Sequence, residues 1–184
     1  YVGVSNFSAW QTMKAIAVAQ ANGLAPVACV QPMYNLVKRQ AEVEILPLAQ
    51  AERLAVCPYS PVAAGLLTGK YLRGEGGRIL EHPMYAERFR RAEYAEVAAR
   101  FVDHAHAHGY TPSALATRWV IDHPAVTSAI VGARNLDQLD QALECASFRL
   151  TPEQRAEITA LSIDPPLATD REPESIAMAL LTKK

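Results

Sequence analysis

The sequence predicts an α/β fold in which short parallel strands alternate with helices. Four short apolar runs, each followed by a longer helical stretch, carry this prediction, because this order builds a parallel sheet through right-handed crossovers. The runs cover residues 2–4, 27–30, 54–57 and 127–131. A complete eight-stranded barrel takes about 250 residues, so four such units in 184 residues amount to half of one. An open doubly wound sheet is the alternative, but its GxGxxG fingerprint is missing.

Each predicted strand leads into a helix whose ends are marked by capping residues or helix-stopping glycines. Ser8 with Gln11, and Asn135 with Gln138, have the spacing of capping boxes. Pro47 lies inside the second predicted helix and should kink that helix or shift its start. The predicted helices run over residues 9–21, 42–53, 90–108, 112–121, 136–145 and 152–163. Residues 167–184 are weakly patterned and receive no assignment.

Composition narrows the function classes and gives one domain over residues 1–184. Lys and Arg number 18 against 19 Asp and Glu, so the net charge of -1 lacks the basic field that nonspecific nucleic-acid binding needs. No apolar run reaches the roughly 18 residues of a membrane span. The three cysteines fit neither a CxxC site nor a disulfide framework, and we expect a cytoplasmic protein. Because the chain starts with Tyr1 inside a predicted strand, we also expect a fragment.

Amide and hydroxyl side chains stand at the ends of the predicted strands. In α/β folds the ligand site lies beyond the carboxyl ends of the strands, and these ends hold Ser5, Asn6, Gln31, Tyr59 and Ser60. A planar ring bearing a carboxamide could stack on Tyr59 while Asn6 and Gln31 bond its amide. The alternative for Ser5 and Asn6 is a simple turn ahead of the first helix.

Two segments have the chemistry of an anion site. Residues 60–71 form a small-residue loop that exposes backbone N–H groups, and Lys70 adds a positive charge. Residues 132–138 join the fourth run to a helix, where Arg134 beside the helix N-terminus makes a phosphate site. The alternative is that the second segment only caps its helix and that Arg134 is solvated.

Three histidines alternate near the end of the helix predicted over residues 90–108. His104 and His108 share a helix face, and two histidines at that spacing can ligate zinc. The HExxH motif is absent, however, and the sequence gives no third ligand a defined place. Histidines in a last turn also complement the helix dipole, so we expect no metal site here.

Four motifs together resemble the aldo-keto reductase family, at successive strand ends and in the right order over about residues 1–161. They are GVSNF at 3–7, QPMYN at 31–35, YSPVAAGLLTGKY at 59–71 and IVGARNLDQL at 130–139. The resemblance implies the C-terminal half, about strands 5–8, of a TIM (β/α)8 barrel that binds NADPH and reduces a small-molecule carbonyl by hydride transfer. The similarity extends to the bacterial branch with the GLLTGKY loop and to the β subunits of potassium channels.

The resemblance also implies a set of cofactor-binding residues. Ser5, Asn6 and Gln31 match the groups that hold the nicotinamide carboxamide, and Tyr59 matches the ring that stacks on the nicotinamide. Arg134 matches the cation for the adenosine 2′-phosphate, with Gln138 nearby. The further cofactor-binding positions are Ser60, Val62, Gly65, Leu66, Lys70 and Gly132.

Two departures from the family pattern qualify this assignment. Ala142 stands where the family usually has an asparagine that contacts adenine. The family's catalytic tetrad of Asp, Tyr, Lys and His lies on its first four strands, whereas Tyr34, Tyr59 and Tyr71 belong to other motifs. We therefore expect this chain alone to be inactive. The alternative function is a noncatalytic half-barrel that binds a nucleotide or a partner, like a channel β-subunit regulator.

Overall fold

Three parallel strands form the sheet in a computed structural model that describes residues 1–169. They are β1 (Val2–Ser5), β2 (Val27–Gln31) and β3 (Ala55–Val56). The strands lie in sequence order, β1-β2-β3, with Val30 paired to Val4 on one side and to Val56 on the other. The predicted α/β class is confirmed. The order contains no reversal, as expected for consecutive β/α units in the wall of a barrel.

The fourth predicted strand, residues 127–131, is an irregular segment beside β3. It meets the extension of β3 at one bridge, between Ile130 and Tyr59. Upstream, the amides of Thr127 and of the residue after it both donate to the Val56 carbonyl oxygen, at 2.9 and 3.2 Å. The Thr127 hydroxyl accepts the Val56 amide. These bonds occupy the groups that a regular ladder would use, so the prediction of a fourth regular strand is wrong.

Eight helices accompany the sheet within residues 1–169. They are α1 (Ala9–Ala21), α2 (Ile45–Ala51), α3 (Arg78–Glu81), α4 (Pro83–Arg88), α5 (Ala92–Ala107), α6 (Pro112–Ile121), α7 (Leu136–Leu143) and α8 (Pro152–Ala160). Short 3-10 turns cover Gln40–Glu42, Ala63–Thr68 and Glu144–Ser147. The predicted positions of α1, α5, α6 and α8 agree with the structure to within a few residues.

The structure refines two predicted helices and contains two short ones that were not predicted. α2 begins at Ile45, later than its predicted residue 42, and so shows the shifted start expected from Pro47. Pro47 then lies in the first turn, where a missing amide costs no helical hydrogen bond. At α7 only half of the predicted capping box forms: Asn135 accepts the Gln138 amide, but the Gln138 side chain accepts the Arg134 amide instead. α3 and α4 are not predicted, because helices of one or two turns show no periodicity.

The hydrophobic core lies between the sheet and helices α2, α5, α6 and α8. Its largest fully buried side chains include Leu46, Phe101, Trp119 and Ile158. The ring of Tyr34 packs on Trp119 with 5.1 Å between centroids. α6 is buried almost all round, which explains why its sequence has no polar face.

A charged network closes the side of the core that faces the segment after α8. The Tyr34 hydroxyl donates to Glu42 and accepts from Arg155 of α8 at 2.9 Å. Arg39, which is 8% exposed, pairs with Glu42 at 2.8 Å and with Asp164 at 3.0 Å. These contacts hold the chain after α8 against the turn that follows β2.

The remaining sequence predictions concern the tail and the membrane. Of the weakly patterned tail, residues 170–184 lie outside the described residues. Across residues 1–169, no helix combines the length and the apolar character that crossing a membrane requires.

Candidate functional site

A cleft of about 470 Å³ opens beyond the carboxyl ends of the strands. Its walls come from the loop after β3, the irregular segment beside β3, the starts of α6 and α7, and the region of α3 and α4. The predicted site residues in its wall are Tyr59, Ser60, Val62, Gly65, Lys70, Gly132, Arg134 and Gln138. The structure thus gathers residues from two separate motifs into one wall. Leu66 is not in this wall; it packs against the core.

Ser5, Asn6 and Gln31 lie beside the cleft, in a chain of hydrogen bonds that ends on Tyr59. The Ser5 hydroxyl donates to Gln31 Oε1 at 3.1 Å, and Asn6 Nδ2 donates to Ser5 Oγ at 3.3 Å. The Tyr59 hydroxyl donates to Asn6 Oδ1 at 2.7 Å. The polar groups at the ends of the three strands therefore act as one connected set rather than as isolated turn residues.

The backbone beside the cleft is strained at four residues that are not glycine. Their φ angles are positive, at Asn6 (58°), Ser60 (59°), Ala63 (50°) and Ala64 (56°). Such conformations cost of order 1–3 kcal/mol each and persist only where surrounding contacts hold them. Asn35, which is fully buried, supplies one such contact by donating to the Ser60 carbonyl oxygen at 3.0 Å. Contacts of this kind hold the loop after Tyr59 in its strained conformation.

Positive charge is concentrated in the cleft wall. The cationic side chains that line it are Lys70, Arg73, Arg78 and Arg134. Two carboxylates form ion pairs with these cations at the surface: Glu75 pairs with Arg73 at 2.6 Å, and Glu81 of α3 pairs with Arg134 at 3.0 Å. Both ion pairs are about half exposed, so water can reach them. Among the described residues, the four cations that line the cleft therefore outnumber the two carboxylates that pair with them, which favours an anionic ligand.

The pKa of Lys70 reflects this excess of positive charge. Burial lowers the pKa of its ammonium group below the ordinary value, and the nearby Arg134 guanidinium lowers it further. Glu81 and Glu75 act in the opposite direction but do not cancel these effects. A negatively charged group bound in the cleft would offset the repulsion between Lys70 and Arg134.

A buried hydroxyl in the cleft wall has no hydrogen-bond partner among residues 1–169. It is Ser113 Oγ, near the start of α6, while the Ser113 carbonyl oxygen accepts from Thr117 at 2.8 Å. Buried hydroxyls are normally hydrogen-bonded, so an unpaired one needs a reason. The surplus cations fit a ligand that carries phosphate oxygens.

Several residues of the cleft wall are not found by the sequence analysis. Arg73, Glu75, Arg78 and Tyr85 lie in or beside α3 and α4, which fold over the loop containing Lys70. The guanidinium of Arg78 stands 5.8 Å from the centre of the Tyr85 ring. The two arginines that flank the glycine-rich run at 74–77 are the signal that could have found this wall.

Gly77 allows this segment to approach Lys70 closely. A side chain at Gly77 would overlap Lys70 Nζ and would lie 2.7 Å from the Tyr71 hydroxyl. Tyr71 itself joins the two walls, since its hydroxyl donates to the Ala64 carbonyl oxygen at 3.0 Å and accepts the Ile79 amide at 3.1 Å. Within the glycine-rich run it is therefore Gly77 whose neighbours leave no room for a side chain, whereas Gly74 has open space around it.

Known proteins are similar to this chain over most of its length. "Protein tas" of Escherichia coli is 31% identical over 163 residues, which cover 88% of this chain and 47% of the relative. "Aldo-keto reductase YhdN" of Bacillus subtilis is 31% identical over 166 residues, covering 87% and 48%. A Schizosaccharomyces pombe protein, named as a candidate voltage-gated potassium channel subunit beta, is 33% identical, covering 83% and 47%.

The chain spans about half the length of the curated relatives it matches. A family model described as "Aldo/keto reductase family" matches residues 1–163. This match covers the strands, the cleft and helices α1 to α8. The chain therefore belongs to the aldo/keto reductase family.

Proposed function

We propose that the cleft binds NADPH and that this chain is the cofactor-holding half of a carbonyl reductase. The family's chemistry is oxidation and reduction with a nicotinamide cofactor. The observation that carries the proposal is the cluster of four cations in a cleft that also contains the Tyr59 ring. A dinucleotide presents both phosphates and a flat ring, and this wall offers complementary groups to each.

The nicotinamide end belongs at Tyr59. In the proposed complex the ring of Tyr59 stacks on the nicotinamide, and its hydrogen bond to Asn6 fixes its orientation. Ser5, Asn6 and Gln31 carry the amide and hydroxyl groups that can bond a carboxamide. The bound cofactor supplies a hydride to the carbonyl carbon of a small substrate.

The phosphate end belongs at the cations. Lys70 and the backbone N–H groups of the loop from Ser60 to Gly65 face the pyrophosphate and ribose in this proposal. Arg134 binds the adenosine 2′-phosphate, and Gly132 keeps the backbone beside it free of a side chain. Ala142 also lines the cleft but brings no amide, so the adenine receives no side-chain hydrogen bond from that position.

We further propose that this chain alone does not reduce carbonyls. The developing alkoxide must take a proton from an acid within hydrogen-bond reach. The hydroxyls of Tyr34, Tyr59 and Tyr71 all donate within the protein, to Glu42, Asn6 and Ala64 respectively. Burial raises the pKa of Tyr34 and of Tyr71, which makes each a weaker proton donor near neutral pH.

Fluorescence titration of the purified chain with NADPH and with NADH tests the cofactor site. We expect saturable binding that is tighter for NADPH, and no binding to either cofactor would overturn the proposal. An assay of the same sample with a reactive aldehyde, followed at 340 nm, tests the missing acid. Turnover at about 1 s⁻¹ or more, an ordinary enzymatic rate, would show that an acid in this chain has been overlooked.

The second candidate function is a regulator that binds the nucleotide without using it. The name of the S. pombe relative favours this candidate. A chimera that joins the other half of a relative such as the B. subtilis protein to this chain separates the two. Aldehyde reduction by the chimera supports the reductase, whereas cofactor binding without reduction supports the regulator.

A further inference from the structure

A polar cluster separate from the cleft lies where the end of α5 meets α8. His104 lies in the last turn of α5 and His108 is the residue that caps this helix, and their rings stack with 4.2 Å between centroids. Glu157 of α8 approaches them, with its Oε1 atom 3.9 Å from His104 Nδ1. One potential ligand atom from each of the three side chains lies within 4.8 Å of the other two.

This spacing is close to that of a metal site. With bonds of about 2.0–2.2 Å, the ligands of a tetrahedral zinc ion lie about 3.3–3.6 Å apart. His108 and Glu157 are exposed, so their side chains are free to rotate toward the shorter spacing. His104, whose side chain is 13% exposed, provides the fixed member of the set.

The orientation of the His108 ring suits metal binding. His108 Nδ1 lies 2.8 Å from the His104 carbonyl oxygen, to which it donates, so Nε2 is the ring nitrogen that remains for a bond to a metal. A metal-bound histidine commonly donates its other ring N–H to a carbonyl in this way.

We propose that His104, His108 and Glu157 bind one divalent transition-metal ion of the Zn²⁺ type and so join α5 to α8. Two imidazole nitrogens and one carboxylate oxygen suit zinc, whereas Mg²⁺ and Ca²⁺ prefer oxygen ligands alone. Water completes the fourth position. No metal site was expected here because the sequence gives no third ligand a defined place; folding brings Glu157 to the histidine pair.

The ion has a structural role in this arrangement. α8 is held to α5 by a hydrogen bond from Arg100 to the Leu161 carbonyl oxygen at 3.0 Å, and the ion would add a second link between the same two helices. Because the unfolded chain does not bring the three side chains together, the ion binds the folded state preferentially and stabilises it.

Calorimetric titration of Zn²⁺ into the untagged, metal-free protein tests the site. We expect one ion per chain, and we expect His108→Ala and Glu157→Gln each to weaken binding at least about tenfold, since even an outer-shell change at a metal site costs about 10–100-fold. His106→Ala is the matched control, because His106 is exposed on the same helix and is not part of the cluster. Its affinity should equal that of the wild type.

Thermal unfolding provides a second readout that involves no cofactor. Saturating Zn²⁺ should raise the Tm of the wild type and of His106→Ala, and should leave the Tm of His108→Ala unchanged. Without zinc, matching circular dichroism spectra and Tm values of the two histidine variants would show that both fold. Equal loss of binding in His106→Ala and His108→Ala, or wild-type affinity in Glu157→Gln, would overturn the three-ligand site.

Discussion

The Tyr59 hydroxyl donates a 2.7 Å hydrogen bond to the Asn6 side-chain oxygen and so joins the ends of β3 and β1, two strands that are not neighbours in the sheet. The bond passes over the end of β2, where Gln31 is held in turn by Ser5. Because Asn6 has a positive φ of 58°, its side chain reaches Tyr59 only at the cost of backbone strain. This contact sets the orientation of the one aromatic ring that the proposed nicotinamide would meet.

Removing the Tyr59 ring should weaken NADPH binding. Aromatic stacking contributes about 0.5–1.5 kcal/mol, so Tyr59→Ala should raise the Kd about two- to twelvefold. Tyr59→Phe is the control that keeps the ring and loses only the hydroxyl bond to Asn6. Fluorescence titration of both variants checks this, and an equal change in the two would contradict a stacking role.

Arg134 should discriminate between the two cofactors. A hydrogen bond between a charged side chain and the 2′-phosphate contributes roughly 1–3 kcal/mol. Arg134→Ala should therefore weaken NADPH binding by that amount and leave NADH binding nearly unchanged. Arg90→Ala is the matched control, because Arg90 also forms an exposed pair with a glutamate, Glu87 at 2.8 Å. If Arg134→Ala weakened the binding of NADPH and NADH equally, this would contradict a contact with the 2′-phosphate and favour a capping or solvated role for Arg134.

Glu42 should contribute stability that depends on pH. Burial alone would raise the pKa of its carboxyl, but hydrogen bonds from Arg39 and Tyr34 outweigh burial and hold the pKa below its ordinary value. Its contribution is therefore full above the unfolded pKa of about 4.3 and is lost as the pH falls through the lower folded pKa. Glu42→Gln should cost about 2 kcal/mol of unfolding free energy at pH 7.

Denaturant unfolding at pH 7 and near pH 3 measures this effect. The difference between the wild type and Glu42→Gln should shrink at the lower pH, because the carboxyl of the unfolded wild-type chain then binds a proton that the folded carboxyl, with its lowered pKa, resists. Glu87→Gln provides the control, since exposed pairs like that of Glu87 with Arg90 are worth about 0–1 kcal/mol. A gap that stays constant across the two pH values would contradict the assignment.

The loop after β3 should tolerate a methyl group at Gly74 better than at Gly69. Both glycines have positive φ, 74° and 76°, so alanine at either position costs about 1–2 kcal/mol. A Cβ at Gly69 would also lie 3.1 Å from Val102 Cγ1, whereas a Cβ at Gly74 meets no atom within 4 Å. Urea unfolding should therefore show Gly69→Ala to be the less stable variant, and the reverse order would be incompatible with the packing described.

Helix positions were predictable where local chemistry decides them. Ser8 with Gln11 caps α1, and Thr111 with Pro112 starts α6, because these signals act within one turn. The fourth strand failed because its apolar run is compatible with a strand, but its pairing depends on what β3 offers. There the Val56 carbonyl oxygen takes two successive amides, which no local pattern reveals.

The candidate site was predictable from the rule that strand ends share one edge of a sheet. That rule predicts that the loop containing Lys70 and the turn containing Arg134 lie close together, and in the structure both line one cleft. It says nothing about residues carried on helices. Glu157 reaches the histidine pair from α8, which tertiary packing brings to the end of α5. Arg78 stands on α3, a helix too short to show periodicity.

Glu81 would compete with a bound phosphate for Arg134, because the Glu81 carboxylate forms an ion pair with the Arg134 guanidinium. The Glu81 carboxylate is tethered through α3 and occupies the guanidinium that a 2′-phosphate would need, so it acts as a built-in ligand at a fixed effective concentration. A cofactor binding at Arg134 must displace this tethered anion, and its apparent affinity falls by the fraction of time that the pair is closed. In the proposed complex, occupancy of the phosphate site would thus depend on a competition inside a single chain.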